Sequence, residues 1–303
     1  MLSLPCAKIN IGLNVTGKRP DGYHNLETVF YPIPLTDVLE IKELHGNEKE
    51  DIQIIGMPKG EDPLHNLVYL VYSDLRREYN LPRLSIYLYK KIPIGAGLGG
   101  GSSDAAEMMK AMNEMFCLGM KEDEMERRIS RYGADCAFFI RKKPVFAEGI
   151  GDVFSNISVR LSGKFFLLVK PSISVSTREA YSGISPKTPD YDLRKCVEGD
   201  ITNWHSTIRN DFETTVFKLY PELKAIKQTI YDMGAIYASM SGSGSAIYGI
   251  FDRPIDEAEK VFQNIDRAVL FPMADHLEYA VKRIQNHEQI SNPLTDDIRV
   301  LFH

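Results

Sequence analysis

Apolar and polar residues alternate near the start of the chain, over residues 8–13 with the sequence KINIGL. A period of two is typical of a β-strand with one buried face, and Asp21-Gly22 is a typical turn pair. We therefore expect a hairpin with a polar face in this region. The same alternation predicts strands at 38–41 and 84–89, and apolar runs predict strands at 164–169 and, buried, at 246–251.

Other segments carry apolar residues at helical spacing and predict helices at 66–78, 105–116 and 221–233. The methionine stripe of the second helix is interpreted as core packing, and the charged run KEDEMERR at 121–128 as a solvated helix face. Pro254 predicts the start of one more helix, because acidic residues follow it. A chain of 303 residues with this mixture of α and β elements has room for two closely joined lobes.

The composition is that of a globular protein, with 44% hydrophobic and 25% charged residues. The formal net charge of -5 argues against a nucleic-acid partner. Residues 1–10 lack the pattern of a secretory leader and no run of about 18 apolar residues follows, so we expect no membrane span and a cytoplasmic location. Four scattered cysteines without a CxxC pair predict reduced thiols rather than a zinc site, and no protein metal ligand is predicted.

A glycine-rich segment, PIGAGLGGGSSD at 93–104, connects the predicted strand at 84–89 to the helix that follows. Bare backbone N–H groups beside the positive end of a helix form an anion cradle that admits a polyphosphate. A plain strand-to-helix turn would need fewer glycines. The segment therefore predicts a phosphate-binding loop.

The motifs of three better known nucleotide-binding families fit this chain poorly. Gly95, Gly97 and Gly100 satisfy the GxGxxG pattern of a dinucleotide-binding dehydrogenase. The acidic residues at the distance that such an enzyme needs, Glu122 and Asp123, fall in the predicted polar helix. No lysine follows the glycines as in a P-loop, and the protein-kinase motifs HRD and DFG do not occur. A dehydrogenase is the weaker alternative.

The loop resembles the ATP-phosphate loop of the GHMP kinase superfamily, which includes galactokinase, homoserine kinase, mevalonate kinase and phosphomevalonate kinase. Two further segments resemble the other superfamily motifs in order and spacing, AKIN at 7–10 and SGSGS at 241–245. The resemblance implies an α+β protein with the two-lobed GHMP kinase fold. It implies a ribosomal protein S5 domain 2-like, ATP-binding N-terminal lobe at 1–155, a ferredoxin-like C-terminal lobe at 156–285, and a tail of unknown role at 286–303.

Four longer segments narrow the resemblance: AKINIGL at 7–13, GKRPDGYHNLET at 17–28, GADCAFF at 133–139 and FAEGIG at 146–151. They are similar to superfamily members that phosphorylate the 2-hydroxyl of a cytidine diphosphate-linked methylerythritol in the non-mevalonate isoprenoid pathway. The resemblance implies ATP and Mg²⁺ as cofactors, this small-molecule substrate, and a monomer or homodimer. The alternatives are another GHMP small-molecule kinase, of homoserine or mevalonate type, and a catalytically inactive nucleotide-binding sensor.

The resemblance also implies roles for single residues. Asp135 accepts the proton of the substrate hydroxyl as the phosphoryl group is transferred, and Lys8 is the cation beside it. The residues expected to hold the ATP phosphates are Pro93, Gly95, Gly97, Leu98, Gly99, Gly100, Gly101, Ser102 and Ser103. Asp104, the next residue, is expected to stabilise the start of the helix.

Four residues are expected to bind the substrate. Asn10 lies two positions from Lys8 on the same strand face, where it could steady the reacting groups by hydrogen bonding. Tyr23 and His24 match positions associated with the cytosine ring, one stacking on it and the other bonding its edge, and Tyr181 is the expected opposite stacking face. Stacking on an aromatic side chain contributes about 1–3 kcal/mol per base, enough to select a nucleotide-linked substrate over a bare polyol.

Overall fold

The computed structural model describes residues 1–46, 48–58, 60–255, 261–262, 267–273 and 299–301. The strands in these ranges are β1 (Leu2–Ser3), β2 (Cys6–Lys18), β3 (His24–Thr36), β4 (Val38–Glu43), β5 (Asp51–Ile55), β6 (Leu84–Tyr89), β7 (Val145–Glu148), β8 (Val153–Asn156), β9 (Lys164–Lys170), β10 (Tyr237–Met240), β11 (Ile247–Phe251), β12 (Arg267–Met273) and β13 (Arg299–Leu301). The α-helices are α1 (Leu67–Tyr79), α2 (Gly100–Met115), α3 (Glu122–Ile129), α4 (Phe138–Arg141), α5 (Thr177–Tyr181), α6 (Leu193–Glu198), α7 (Trp204–Thr207), α8 (Phe212–Leu219) and α9 (Pro221–Asp232).

The described strands form three sheets. The orders are β2-β3-β7-β8 and β1-β4-β6-β5 for strands from the first half of the chain, with only β5 and β6 parallel. The third sheet is antiparallel, with the order β10-β11-β9-β12-β13. Counted from β9, its first four strands lie in the order second, third, first, fourth, which is the arrangement of the predicted ferredoxin-like lobe.

The structure confirms the predicted strands and helices that fall in the described ranges and corrects their bounds. The hairpin is longer than expected, because β2 and β3 each extend over 13 residues. α2 begins within the glycine cluster, at Gly100, rather than after it. The elements β1, β5, β7, β8, β10, β12, β13 and α4 to α8 are additional to the prediction. Most of the helix predicted from Pro254, and most of the tail at 286–303, lies outside the described residues; within the tail, β13 pairs with β12.

The methionine stripe of α2 lies in the core, as predicted. Met108, Met109 and Met112 are fully buried, in a cluster with residues of α1, against which α2 packs. A second apolar cluster joins Ile9 of β2 to Phe166 of β9. This cluster crosses the predicted lobe boundary at 155, so the two halves of the chain share a core; the boundaries at 155 and 285 stay predictions.

A bulge in β2 shapes the strand that carries Lys8 and Asn10. Gly12 adopts a φ of +67°, and the pairing of β2 with β3 shifts register between Ile11 and Leu13. A Cβ at Gly12 would lie 2.6 Å from Leu193 Cδ1, and the left-handed φ adds to the preference for glycine. Beyond the bulge, the Leu13 N–H donates to the Arg209 carbonyl oxygen at 2.9 Å. The bulge therefore connects the hairpin to the second half of the chain.

Three buried charged side chains lie beneath the glycine-rich segment. Lys90 donates hydrogen bonds to Asp37 and, at 2.5 Å, to Asp104. The side chains of Lys90, Asp37 and Asp104 are only 6%, 0% and 1% exposed. Burial raises the pKa of Asp104 well above its usual value, against the opposing charge of Lys90. Asp104 was expected to stabilise the start of α2; instead it lies further along the helix and binds Lys90.

We predict that Lys90→Met lowers the free energy of unfolding by about 3–5 kcal/mol, because it leaves two buried carboxyl groups without their cation. Urea denaturation followed by circular dichroism measures the change. Lys224→Met, at an exposed position of α9, is the control and should change stability by no more than about 0.5 kcal/mol. Equal stability of the two variants would show that the three charges do not hold this region together.

Candidate active site

The ammonium group of Lys8 is the centre of the site. Lys8 lies on β2 and is 3% exposed. Its Nζ donates to Asn10 Oδ1 at 2.6 Å and to the Gly97 carbonyl oxygen at 3.2 Å, and it lies 3.3 Å from Asp135 Oδ2. Lys8 and Asn10 share a strand face because they are two residues apart. The ammonium group therefore joins β2 to the glycine-rich segment and to the short turn that carries Asp135.

An aromatic ring covers another side of the ammonium group. Phe30, which pairs with Asn10 across the hairpin, places its ring centroid 4.8 Å from Lys8 Nζ. This is a cation–π contact. Asp135 lies in the 3-10 turn Ala134–Cys136, and its side chain is 34% exposed. The carboxylate is thus the solvent-accessible partner of a buried cation.

The glycine-rich segment is held where only glycine fits. Gly95, Gly97 and Gly99 have φ values of +64°, +76° and +70°. A Cβ at Gly97 would lie 2.0 Å from the Ser241 carbonyl oxygen, and one at Gly99 would lie 2.7 Å from Phe139 Cζ. Gly99 precedes the 16-residue helix α2 and makes no side-chain capping bond. An uncapped helix start behind a bare backbone fits a polyphosphate.

The segment at 241–245 packs against this loop. Ser241 Oγ donates to the Gly97 carbonyl oxygen at 2.8 Å and accepts from the Asn10 N–H at 3.3 Å. Asn210 Nδ2 donates to the Gly242 carbonyl oxygen at 2.9 Å. The segment at 241–245 thus supports both the glycine loop and the strand that carries Lys8. Its repeated Ser-Gly pattern was the signal that could have placed Ser241 among the site residues.

Two cavities, each of about 330 Å³, meet at the glycine loop. The first is lined by Lys8, Asn10 and Asp135, and the second by the segment 98–102 and by the buried pair Lys90 and Asp104. Gly95, Gly97 and Gly99 line both. The loop is therefore a wall between two compartments, with the Lys8 ammonium group at the wall.

The structure brings most of the predicted site residues to these cavities. In the first are Lys8, Asn10, Asp135 and Tyr181; in the second are Pro93, Leu98, Gly100, Gly101 and Ser102; Gly95, Gly97 and Gly99 are shared. Ser103 lines neither cavity: it is fully buried, its hydroxyl has no hydrogen-bond partner among the described residues, and its N–H donates to the Gly99 carbonyl oxygen. Its side chain is thus buried behind the loop, and its expected role at the phosphates stays a prediction.

Sequence reasoning missed several lining residues. Thr28, Phe30 and Thr177 belong to the first cavity, and Asn66 and Leu67 to the second. Thr28 and Phe30 alternate along β3, a signal that would have placed them on one face. The others come from the starts of α5 and α1 and have no local signal that points to the site.

The predicted base-binding residues lie beside the first cavity rather than in its wall, except for Tyr181. The rings of His24 and Tyr181 are stacked with centroids 4.7 Å apart, and Phe212 meets Tyr181 edge-on. Burial raises the pKa of Tyr181, and the nearby charge of Asp135 adds to this. Tyr23 is 62% exposed. One face of the Tyr181 ring thus contacts His24 in this structure.

Within the described part of the chain, no group of three or more His, Cys, Asp or Glu residues could hold a metal ion. No helix described there has both the length and the apolar character needed to cross a membrane.

Sequence models of known families match segments in both halves of the chain. The sequence model of the GHMP kinases N terminal domain matches residues 66–143, and that of the GHMP kinases C terminal domain matches residues 192–269. The first range contains the glycine loop and Asp135, and the second contains the segment at 241–245.

Curated relatives are similar over most of their length. A 4-diphosphocytidyl-2-C-methyl-D-erythritol kinase of Bacteroides fragilis is 51% identical over 252 residues, which cover 83% of this chain and 92% of the relative. A protein of the same name from Cytophaga hutchinsonii is 44% identical, with 89% of this chain and 99% of the relative covered.

Solved structures agree in fold. A crystal structure of 4-(cytidine 5'-diphospho)-2C-methyl-D-erythritol kinase matches with a TM-score of 0.75 and 31% identity, covering 88% of this chain and 97% of its own. The mevalonate kinase of Methanococcus jannaschii matches with a TM-score of 0.65 and 17% identity, covering 89% and 96%, which shows the fold alone. By both its sequence and its structure, the chain belongs to the GHMP kinase family.

Proposed function

We propose that this protein transfers the γ-phosphoryl group of ATP to the 2-hydroxyl of 4-diphosphocytidyl-2-C-methyl-D-erythritol, in the non-mevalonate route to isoprenoid precursors. One observation carries the chemistry: the Lys8 ammonium group lies 3.3 Å from Asp135 Oδ2 and 3.2 Å from the Gly97 carbonyl oxygen, at the wall between the two cavities. A cation and a carboxylate at that point suit phosphoryl transfer from one compartment to an alcohol in the other. The choice of alcohol rests on the relatives of that name.

The glycine loop and the start of α2 would bind the ATP phosphates. The uncapped N–H groups of the helix and the bare backbone of Gly97 and Gly99 suit this role, because anions bind where donors and the helix dipole converge. Mg²⁺, bound with ATP, would neutralise phosphate charge, and phosphate oxygens and water can supply most of its ligands. We assign no protein residue to it.

Asp135 would accept the proton of the substrate hydroxyl while the new O–P bond forms. Its carboxylate faces the first cavity, whereas Lys8 is buried beside the loop. The Lys8 ammonium group would stabilise the negative charge that moves between donor and acceptor oxygens. Asn10 would hold the ammonium group in place through the 2.6 Å bond to its Oδ1.

Tyr23, His24 and Tyr181 would recognise the cytosine ring. Tyr181 lines the first cavity and stacks on His24, which places two rings at its edge. Tyr23 immediately precedes His24 in the chain. Its ring is exposed, so it could cover a bound base. We further propose action in the cytoplasm as a monomer or homodimer, without a nucleic-acid or membrane partner.

The reaction is tested by measuring magnesium-dependent ADP release with 4-diphosphocytidyl-2-C-methyl-D-erythritol, homoserine and mevalonate in parallel. We expect release with the cytidyl compound alone, because only that substrate offers a base to the aromatic residues. Release with homoserine or mevalonate would replace the proposed substrate by that alcohol. No release with any of the three would favour a nucleotide-binding sensor.

Asp135→Asn should reduce kcat by about 10²–10⁴-fold, because the amide keeps the shape but cannot accept the proton. Nucleotide affinity, measured by titration with a fluorescent ATP analogue, should stay close to that of the wild type, since Asp135 does not line the second cavity. Asp232→Asn, on the surface of α9, is the control and should leave kcat unchanged. A near-normal kcat for Asp135→Asn would exclude the proposed proton acceptor.

Tyr23→Ala should raise the KM for the cytidyl substrate by about 5- to 150-fold with little change in kcat, because a stacking contact worth about 1–3 kcal/mol is lost. Steady-state kinetics at saturating ATP separate the two constants. Tyr89→Ala removes a partly exposed ring that lines neither cavity and should leave KM as it is. An unchanged KM for Tyr23→Ala would remove Tyr23 from the substrate site.

A further inference from the structure

The Asn10 side chain uses both ends of its amide group. Oδ1 accepts a hydrogen bond from Lys8 Nζ at 2.6 Å, and Nδ2 donates to Thr28 Oγ1 at 3.0 Å. Thr28 Oγ1 in turn donates to the Gly12 carbonyl oxygen at 2.5 Å. Asn10 is 3% exposed and Thr28 is fully buried. The four residues thus form a continuous hydrogen-bonded chain that ends at the proposed catalytic cation.

The two ends of this chain agree on the direction of every bond in it, because the Lys8 ammonium group can only donate and the Gly12 carbonyl oxygen can only accept. A carbonyl oxygen can only accept, so Gly12 takes the single hydroxyl proton of Thr28. The hydroxyl then has only lone pairs to offer, and the Asn10 amide must turn its NH₂ toward Thr28. That leaves Oδ1 facing Lys8. In the flipped orientation, the NH₂ group would face the ammonium group, donor against donor.

The backbone bulge explains why the Gly12 carbonyl is available. Gly12 falls in the register shift between β2 and β3 and has no partner residue on β3. Its carbonyl therefore lies outside the regular hairpin ladder and can take the proton of a side chain. The left-handed φ of Gly12 and the close approach of Leu193 together favour glycine at this position.

We infer that Thr28 is a positioning residue for phosphoryl transfer: by fixing the orientation of the Asn10 amide, its hydroxyl keeps an acceptor oxygen on Lys8 and holds the ammonium group toward Asp135. Thr28 borders the first cavity but is fully buried, and its hydroxyl is engaged by Asn10 and Gly12, so it acts through Asn10. This inference rests on the proposed function, because it takes the Lys8–Asp135 pair as the reacting centre.

Kinetics give the first test. Thr28→Val keeps the shape and removes the hydroxyl, so kcat should fall by about 10- to 100-fold with the KM for ATP within about threefold of the wild type. Thr28→Ser restores the hydroxyl and should recover kcat to within about threefold. A Thr28→Val enzyme with kcat within about twofold of the wild type overturns the inference.

A double variant separates orientation from packing. In Asn10→Asp the two side-chain oxygens are equivalent acceptors, so the side chain has no amide orientation for Thr28 to fix. Adding Thr28→Val to Asn10→Asp should change the single-turnover rate by less than about twofold. If Thr28→Val lowers the rate of Asn10→Asp as much as it lowers that of the wild type, its effect is general packing and the inference fails.

Exchange of the Asn10 side-chain amide protons gives a measurement that does not depend on activity. In ¹⁵N-labelled enzyme, the signals lost in Asn10→Asp identify this amide. Their hydrogen exchange should be slow in the wild type and in Thr28→Ser, and at least about tenfold faster in Thr28→Val. Unchanged exchange in Thr28→Val overturns the inference. If exchange accelerates as expected but the wild type phosphorylates none of the alcohols, the orientation of Asn10 by Thr28 stands and the proposed function fails.

Discussion

Burial of the Lys8 ammonium group is the constraint on which the site depends. An ammonium group out of water is costly unless oxygens surround it. Here the oxygens come from three separate parts of the chain: Asn10 on the same strand, Gly97 in the glycine loop and Asp135 in a turn more than a hundred residues away in sequence. The strand, the loop and the turn must therefore be in place together. Folding of the N-terminal half assembles the proposed reacting centre as a consequence of satisfying one charge.

Two buried lysines lie on opposite sides of the glycine loop, and their surroundings give them different roles. Lys90 is bound by Asp37 and Asp104, so two carboxyl groups offset its single charge and little of it remains for a ligand. Lys8 has one carboxyl partner, Asp135, which is partly open to solvent, and otherwise neutral oxygens. The positive charge of Lys8 is therefore offset less completely than that of Lys90. Lys90 thus suits support of the loop, and Lys8 suits stabilisation of charge that develops during transfer.

Local patterns predicted those parts of the structure that depend on near neighbours. Alternation over residues 8–13 predicted the strand that carries Lys8 and Asn10, and the glycine cluster predicted the loop. The start of α2 was misplaced, because Gly100 is a poor helix former by propensity but occupies a helix start, where tertiary packing decides. Asp104 was misassigned because its partner Lys90 is 14 positions away and reaches a second carboxylate, Asp37, a further 53 positions back. No local pattern reports such a contact.

The fold by itself does not choose the alcohol, since a mevalonate kinase that is only 17% identical shares it. The choice must come from side chains, and most of the proposed candidates lie on the hairpin of β2 and β3. Its centre carries Lys8, Asn10 and Thr28, and its turn carries Tyr23 and His24. In the proposed assignment, a substrate whose base engaged Tyr23 and His24 would bring its hydroxyl to the same two strands that hold the cation. Because the proposed assignment gives one hairpin both functions, it couples recognition of the base to alignment of the hydroxyl, and a shorter alcohol without a base would lack that alignment.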